Sequence, residues 1–304
     1  MVSTLSIICM VITLLLSLVL PIAVFVWYGR THKQKGIWIA GVLGAGGFAL
    51  LQLGIRLTVL SMLTTIPAVV TWIEGHYILY CFLLAFTAGL FEVVARYGVA
   101  KILYTNKSLV NDLTYEIGFM AGIGHGGIEA VALVGATYIN NLIFTLLVNT
   151  GLWTKVLDNI SAAASAAGDT AMYEAYASIQ TTLIDTPWYL YLAGGYERLL
   201  TMIAHIAMTL VVFYFVSRKK DIIGVFIALG WHTAIDFFVP LFNGLASEYL
   251  GNRIPHNMAY ACVYILLTVI ALIAIVVIVK LKEKWKTLDD VNCQMTTENV
   301  VMGE

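Results

Sequence analysis

From Leu5 to Tyr28 the chain carries no charged side chain, and at about 1.5 Å per residue a helix of that stretch crosses the roughly 30 Å hydrocarbon core of a bilayer. Comparable runs follow at about Ile37–Leu60, Tyr77–Leu103, Tyr115–Tyr138, Trp188–Phe215, Ile222–Phe242 and Met258–Val279. Charged residues make up 12% of the 304, about half the share of a soluble domain. The sequence therefore predicts an all-α, polytopic transmembrane helix bundle of about seven helices, with the lipid bilayer as its first partner. One transmembrane domain, 1–288, accounts for these runs, and the polar tail 289–304 is expected to be disordered.

The basic residues give the topology, because short cytoplasmic loops accumulate them. They group as Arg30, Lys33, Lys35; Arg96, Lys101, Lys107; Arg218, Lys219, Lys220; and Lys280, Lys282, Lys284, Lys286. These groups fall at alternate helix ends, which predicts an N-out/C-in arrangement and a cytoplasmic tail. The first run has its cations after it rather than before it, the pattern of a retained anchor and not of a cleaved signal peptide. With a net charge of −1 no basic face for nucleic acid is expected. Cys9, Cys81 and Cys262 lie in apolar runs and Cys293 in the tail, with no CxxC pair, so they read as apolar filler rather than a disulfide or zinc framework.

Two stretches fit one crossing poorly. Tyr115–Asn149 is longer than a span requires, and Thr65–His76, with Pro67, is too short to cross and reads as an outer interfacial turn. The outer loop 150–187 holds Asp158, Asp169, Glu174 and Asp185 against the single cation Lys155. Its alanines, Tyr173, Tyr176 and Ile179 suggest an interfacial helix or lid, against the plainer reading of a connecting loop.

Ionisable residues inside the runs carry the chemistry, since each costs roughly 2.5 to 3.5 kcal/mol near a helix centre. They are Arg56; Glu92 and Arg96; His125 and Glu129; Glu197, Arg198 and His205; and His232 and Asp236. Three pairs have i, i+4 spacing, which puts both members on one helical face. A shared wet cavity open toward the cytoplasm would accommodate most of them. Gly118, Gly122 and Gly126 form a small-xxx-small face that lets another helix approach the one carrying His125. Arg56 alone reads as a helix-joining contact. Glu197 and Arg198 read equally as a tethering ion pair or as a substrate-side site, while His32, His76 and His256 lie at helix ends and receive no role.

At these residues the sequence resembles a known family. Phe91-Glu92-Val93-Val94-Ala95-Arg96-Tyr97, Gly124-His125-Gly126-Gly127-Ile128-Glu129-Ala130, Tyr196-Glu197-Arg198 through His205, and Trp231-His232-Thr233-Ala234-Ile235-Asp236 are similar to the ordered motifs of the bacterial YhfC family of intramembrane peptidases, within the superfamily of type II CAAX prenyl proteases. The resemblance covers nearly the whole chain. It implies a multi-pass protein of the bacterial cell membrane that cleaves a peptide or membrane-protein substrate. By that resemblance Glu92 is the base that activates water, Arg96 holds its carboxylate, and His125 assists the water or binds metal. His232 with Asp236 stabilises the oxyanion. The metal would be zinc, with His125, His205 and His232 as candidate ligands. Glu197, Arg198 and His205 would contact substrate or support the other groups. The superfamily's first motif has two adjacent glutamates, whereas Phe91 stands before Glu92 here; Glu129 is the carboxylate that would substitute, or the chain is inactive.

Two other classes fit the same residues. A proton-coupled transporter also strings His and carboxylates through a membrane, although no internal repeat supports it. A non-catalytic scaffold derived from such a peptidase would keep the polar cavity to bind partner helices.

Overall fold

The structure is a computed structural model that describes residues 1–167 and 171–301, with side chains described in 1–165 and 171–286; the expected polar tail, 289–304, lies outside the latter. Among the described residues seven helices are long and apolar enough to cross a membrane, and no strand occurs. They are α1 (Thr4–Thr31), α2 (Ile37–Leu63), α4 (Tyr77–Thr105), α5 (Tyr115–Asn149), α8 (Trp188–Ser217), α9 (Asp221–Leu245) and α10 (His256–Lys286). Their exposed flanks carry large apolar side chains such as Leu50, Ile222 and Phe226, the surface that lipid tails solvate. This is a multi-pass membrane protein.

Three shorter segments refine the sequence reading. The stretch expected as a turn before α4 is instead the helix α3 (Pro67–Gly75), with Pro67 in its first turn, where the missing proline N–H has no partner to lose. The long loop is built of two helices, α6 (Trp153–Ala167) and α7 (Ala171–Asp185). The over-long run is continuous helix, but its turns widen to π geometry at Ala130–Gly135, as do those of α1 at Leu15–Val19 and of α2 at Ala49–Leu57.

The chain divides into two compact units. The first comprises Met1–Ala23 and Ala130–Leu199, around a core of Cys9, Met10, Tyr138, Trp153, Leu183 and Tyr191. Its helices are joined at the Tyr191 carbonyl, which accepts hydrogen bonds from Thr13 Oγ1 at 2.6 Å and Tyr138 Oη at 2.7 Å. Glu197 and Arg198 form an ion pair with each other here.

The second unit comprises Val24–Glu129 and the residues from Leu200 onward. Its packing is set by glycines on α5. A Cβ at Gly118 would lie 3.2 Å from Leu210 and Phe213, at Gly122 2.8 Å from the Ile206 Cα, and at Gly126 2.9 Å from the His205 Cβ. The small-residue face therefore receives α8. On another side of α5, a Cβ at Gly124 would overlap the Gly41 carbonyl, and one at Gly44 would overlap that of Ala121, so α2 and α5 touch backbone to backbone. A Cβ at Gly89 of α4 would lie 2.9 Å from the Thr233 Oγ1 of α9. Arg56 joins α2 to α4 by donating to the Leu84 carbonyl at 2.6 Å and to Thr87 Oγ1 at 3.2 Å. Lys101 and Asp221 tie the end of α4 to the start of α9 at 2.8 Å.

Candidate active site

Close packing of α4, α5, α8 and α9 in the second unit brings Glu92, Arg96, His125, Glu129, His205, His232 and Asp236 into one cluster. Glu92 is its centre, with a side chain 3% exposed. An isolated carboxylate so deeply buried costs several kcal/mol, and its surroundings offset that cost. Oε2 accepts from Arg96 Nη2 at 3.1 Å and from His125 Nε2 at 3.1 Å, and lies 3.5 Å from His205 Nδ1. Oε1 faces His232 Nε2 at 3.5 Å. Four side chains from four helices thus converge on one carboxylate.

The hydrogen bonds fix the state of His205. Arginine only donates, so His205 Nδ1, 2.6 Å from Arg96 Nη2, presents its lone pair there. The proton is then on Nε2, which lies 2.7 Å from Glu129 Oε2. His232 Nε2 lies 3.1 Å from Asp236 Oδ2, one turn further along α9. The Asp236 side chain is 37% exposed, and Pro240, one turn on inside α9, has no N–H to bond the Asp236 carbonyl. Arg96 Nη1 and His232 Nδ1 are buried without a hydrogen bond among the described residues.

Three contributors were not singled out from the sequence. Thr209 accepts from Arg96 Nε at 3.3 Å and donates to the His205 carbonyl at 2.8 Å, so it orients both the guanidinium and the turn carrying the imidazole. Its place four residues after His205, the spacing of the other pairs, was the available signal. Phe48 packs edge-on to the His125 ring at 5.1 Å, and Gln52 lies one turn beyond it, buried. Glu197 and Arg198 belong to the other unit, paired with each other.

A family model described as YhfC intramembrane metalloprotease matches residues 16–251. The chain belongs to this family. It is also 27% identical over 284 residues to a Bacillus subtilis (strain 168) protein called "Uncharacterized membrane protein YhfC", an alignment covering 93% of this chain and 98% of the relative. No solved structure gives a significant match. The YhfC family name denotes a membrane-embedded metal-dependent peptidase, so a metal and a peptide substrate are implied.

The cluster fits a metal. Glu92, His205 and His232 offer one ligand atom each, all within 4.8 Å of one another. The two 3.5 Å separations from Glu92 oxygens to His205 Nδ1 and His232 Nε2 are close to the roughly 3.4 Å edge of a tetrahedron with metal–ligand bonds of about 2.1 Å. Glu129, 2.7 Å from the far nitrogen of His205, is near the place of the carboxylates that orient metal-binding imidazoles. Arg96 is the competitor, since its guanidinium holds the His205 Nδ1 lone pair and that hydrogen bond must open before the nitrogen binds an ion. His125 stands beside this trio, bonded to Glu92.

Proposed function

We propose that this YhfC-family protein hydrolyses a peptide bond of a membrane-embedded or membrane-proximal substrate, with Glu92 as the base. The observation that carries the reading is the convergence of Arg96, His125, His205 and His232 on the buried Glu92 carboxylate. Arg96 and His125 hold Oε2 and fix the carboxylate plane, which leaves Oε1, on the His232 side, to take the proton of the attacking water. The His232 imidazole, backed by Asp236, stabilises negative charge developing on the carbonyl oxygen. Glu129 keeps His205 in one tautomer. Zinc suits the same donor set: where Glu92, His205 and His232 hold it they act as ligands, and the metal would supply the Lewis acidity and the water of lowered pKa in place of the roles that His232 and Glu92 have in the metal-free centre.

The test compares membranes of cells making the wild type, Glu92→Gln and His232→Ala, with sequencing of new protein N-termini. Cleavages present with the wild type and lost in both variants are expected, together with about one zinc per wild-type chain by elemental analysis and a loss in His205→Ala. Cleavage that survives Glu92→Gln would falsify the assignment. Proton flux in proteoliposomes without any cleavage would favour the transporter.

A further inference from the structure

On α2 the residues Phe48, Gln52 and Arg56 form one buried ladder at four-residue spacing, while most of their neighbours between them face outward or are half-exposed. One end of the ladder reaches the Glu92 cluster, where Phe48 packs on the His125 ring at 5.1 Å between centroids, and the other end joins α4, the helix that carries Glu92, through the Arg56 bonds to Leu84 and Thr87. Between them Gln52 is 7% exposed, and its Oε1 makes no hydrogen bond among the described residues. Arg56, one turn on, bonds Leu84 and Thr87, so on this ladder the unmet group is the Gln52 amide oxygen. It also lies in the Ala49–Leu57 π segment, a geometry concentrated at functional positions.

A buried amide without partners is costly, and a leucine would fill the same space without that cost. An unwound substrate has the reciprocal problem. Its peptide groups, withdrawn from their own helix, have no water in the hydrocarbon region to bond. A side-chain amide is both donor and acceptor, as a peptide group is, and so matches it at two points.

We propose that the Gln52 amide is a substrate subsite: Oε1 accepts the N–H, and Nε2 donates to the C=O, of a peptide group beside the bond being cut. This rests on the peptidase reading above. Gln52 here is a binding residue for unfolded peptide backbone and takes no proton in the reaction.

The experiment uses the full chain in proteoliposomes. The probe is a synthetic peptide copying the residues around a Glu92-dependent cut, made once as the amide and once with an ester replacing the peptide group next to that cut, which deletes the N–H. Gln52→Met, of similar length, is expected to lower kcat/KM about tenfold on the amide probe, mainly through KM, with thermal stability and zinc content unchanged. The ester is expected to lower the wild-type rate by a similar factor and to cost Gln52→Met nothing further. Gln52→Glu, which keeps the acceptor, is expected to retain discrimination between the two probes. If Gln52→Met cleaves the amide at the wild-type rate, or loses equally on both probes relative to wild type, the subsite is refuted. Absence of any Glu92-dependent cleavage removes the peptidase reading instead, and this inference with it.

Discussion

Replacing Gly126 by alanine separates the geometry of the cluster from the stability of the bundle. The added Cβ would sit 2.9 Å from the His205 Cβ and 3.4 Å from the Met202 Cα, whereas carbon atoms settle at about 3.5 to 4.0 Å. Helix α8 must therefore retreat by roughly 0.6 to 1 Å at His205. That movement stretches the 2.6 Å hydrogen bond to Arg96 to roughly 3.2 Å or beyond, where such bonds fail, and widens the 2.7 Å approach to Glu129. An imidazole released from its supports costs about 10- to 100-fold in metal affinity or activity. Global stability changes less, because about 1 to 3 kcal/mol of overpacking is opposed by about 1 kcal/mol gained on replacing glycine in a helix. The expected outcome is a loss of Glu92-dependent cleavage by about two orders of magnitude, with a thermal midpoint in detergent lowered by a few degrees at most. Gly46→Ala, at a site with nothing within 4 Å of the new atom, controls for helix propensity and is expected to leave cleavage intact. Wild-type cleavage by Gly126→Ala would refute the claim that this close approach sets the position of His205.

Thr209→Val removes the acceptor for Arg96 Nε, so zinc affinity and cleavage are expected to fall about tenfold; Thr209→Ser should restore both, and failure of that rescue points to packing rather than hydrogen bonding. Gly124→Ala drives the α2 and α5 backbones apart and is expected to destabilise the protein by about 3 kcal/mol, read as loss of monodisperse protein on extraction or a lowered thermal midpoint. Tyr138→Phe deletes one of two hydrogen bonds to the Tyr191 carbonyl and is expected to cost about 0.6 kcal/mol by denaturant titration, without loss of cleavage. Incubation with a membrane-permeant chelator is expected to abolish cleavage and zinc readdition to restore it; activity insensitive to chelation would leave Glu92 acting without metal.

The spans were legible because burial in lipid demands long, mostly uncharged runs, and only Tyr115–Asn149 and Thr65–His76 fitted one crossing poorly. Much of the cluster was legible for the converse reason: Glu92, His125, His205 and His232 stand where isolated charge or polarity is expensive, so each had to meet a partner. The glycine ladder announced a close helix contact, though not that α8 would fill it. Helices α6 and α7 were less legible, since their composition suits an interfacial helix or a connecting loop equally, and Trp153 becomes a core residue only when Leu183 and Tyr191 reach it. Thr209 and Gln52 are neutral side chains whose cost of burial is modest, and nothing in a single sequence separates them from ordinary packing residues. The π segments depend on hydrogen-bond register and left no compositional trace.

Asp236 has a consequence for how the reaction centre communicates with bulk solution. Its side chain is 37% exposed while Glu92, His125, His205 and His232 are almost fully enclosed, so of these five it is the one that the surroundings of the cluster reach first. A carboxylate in that position would favour cations over anions, so loading of a metal is expected to depend on salt.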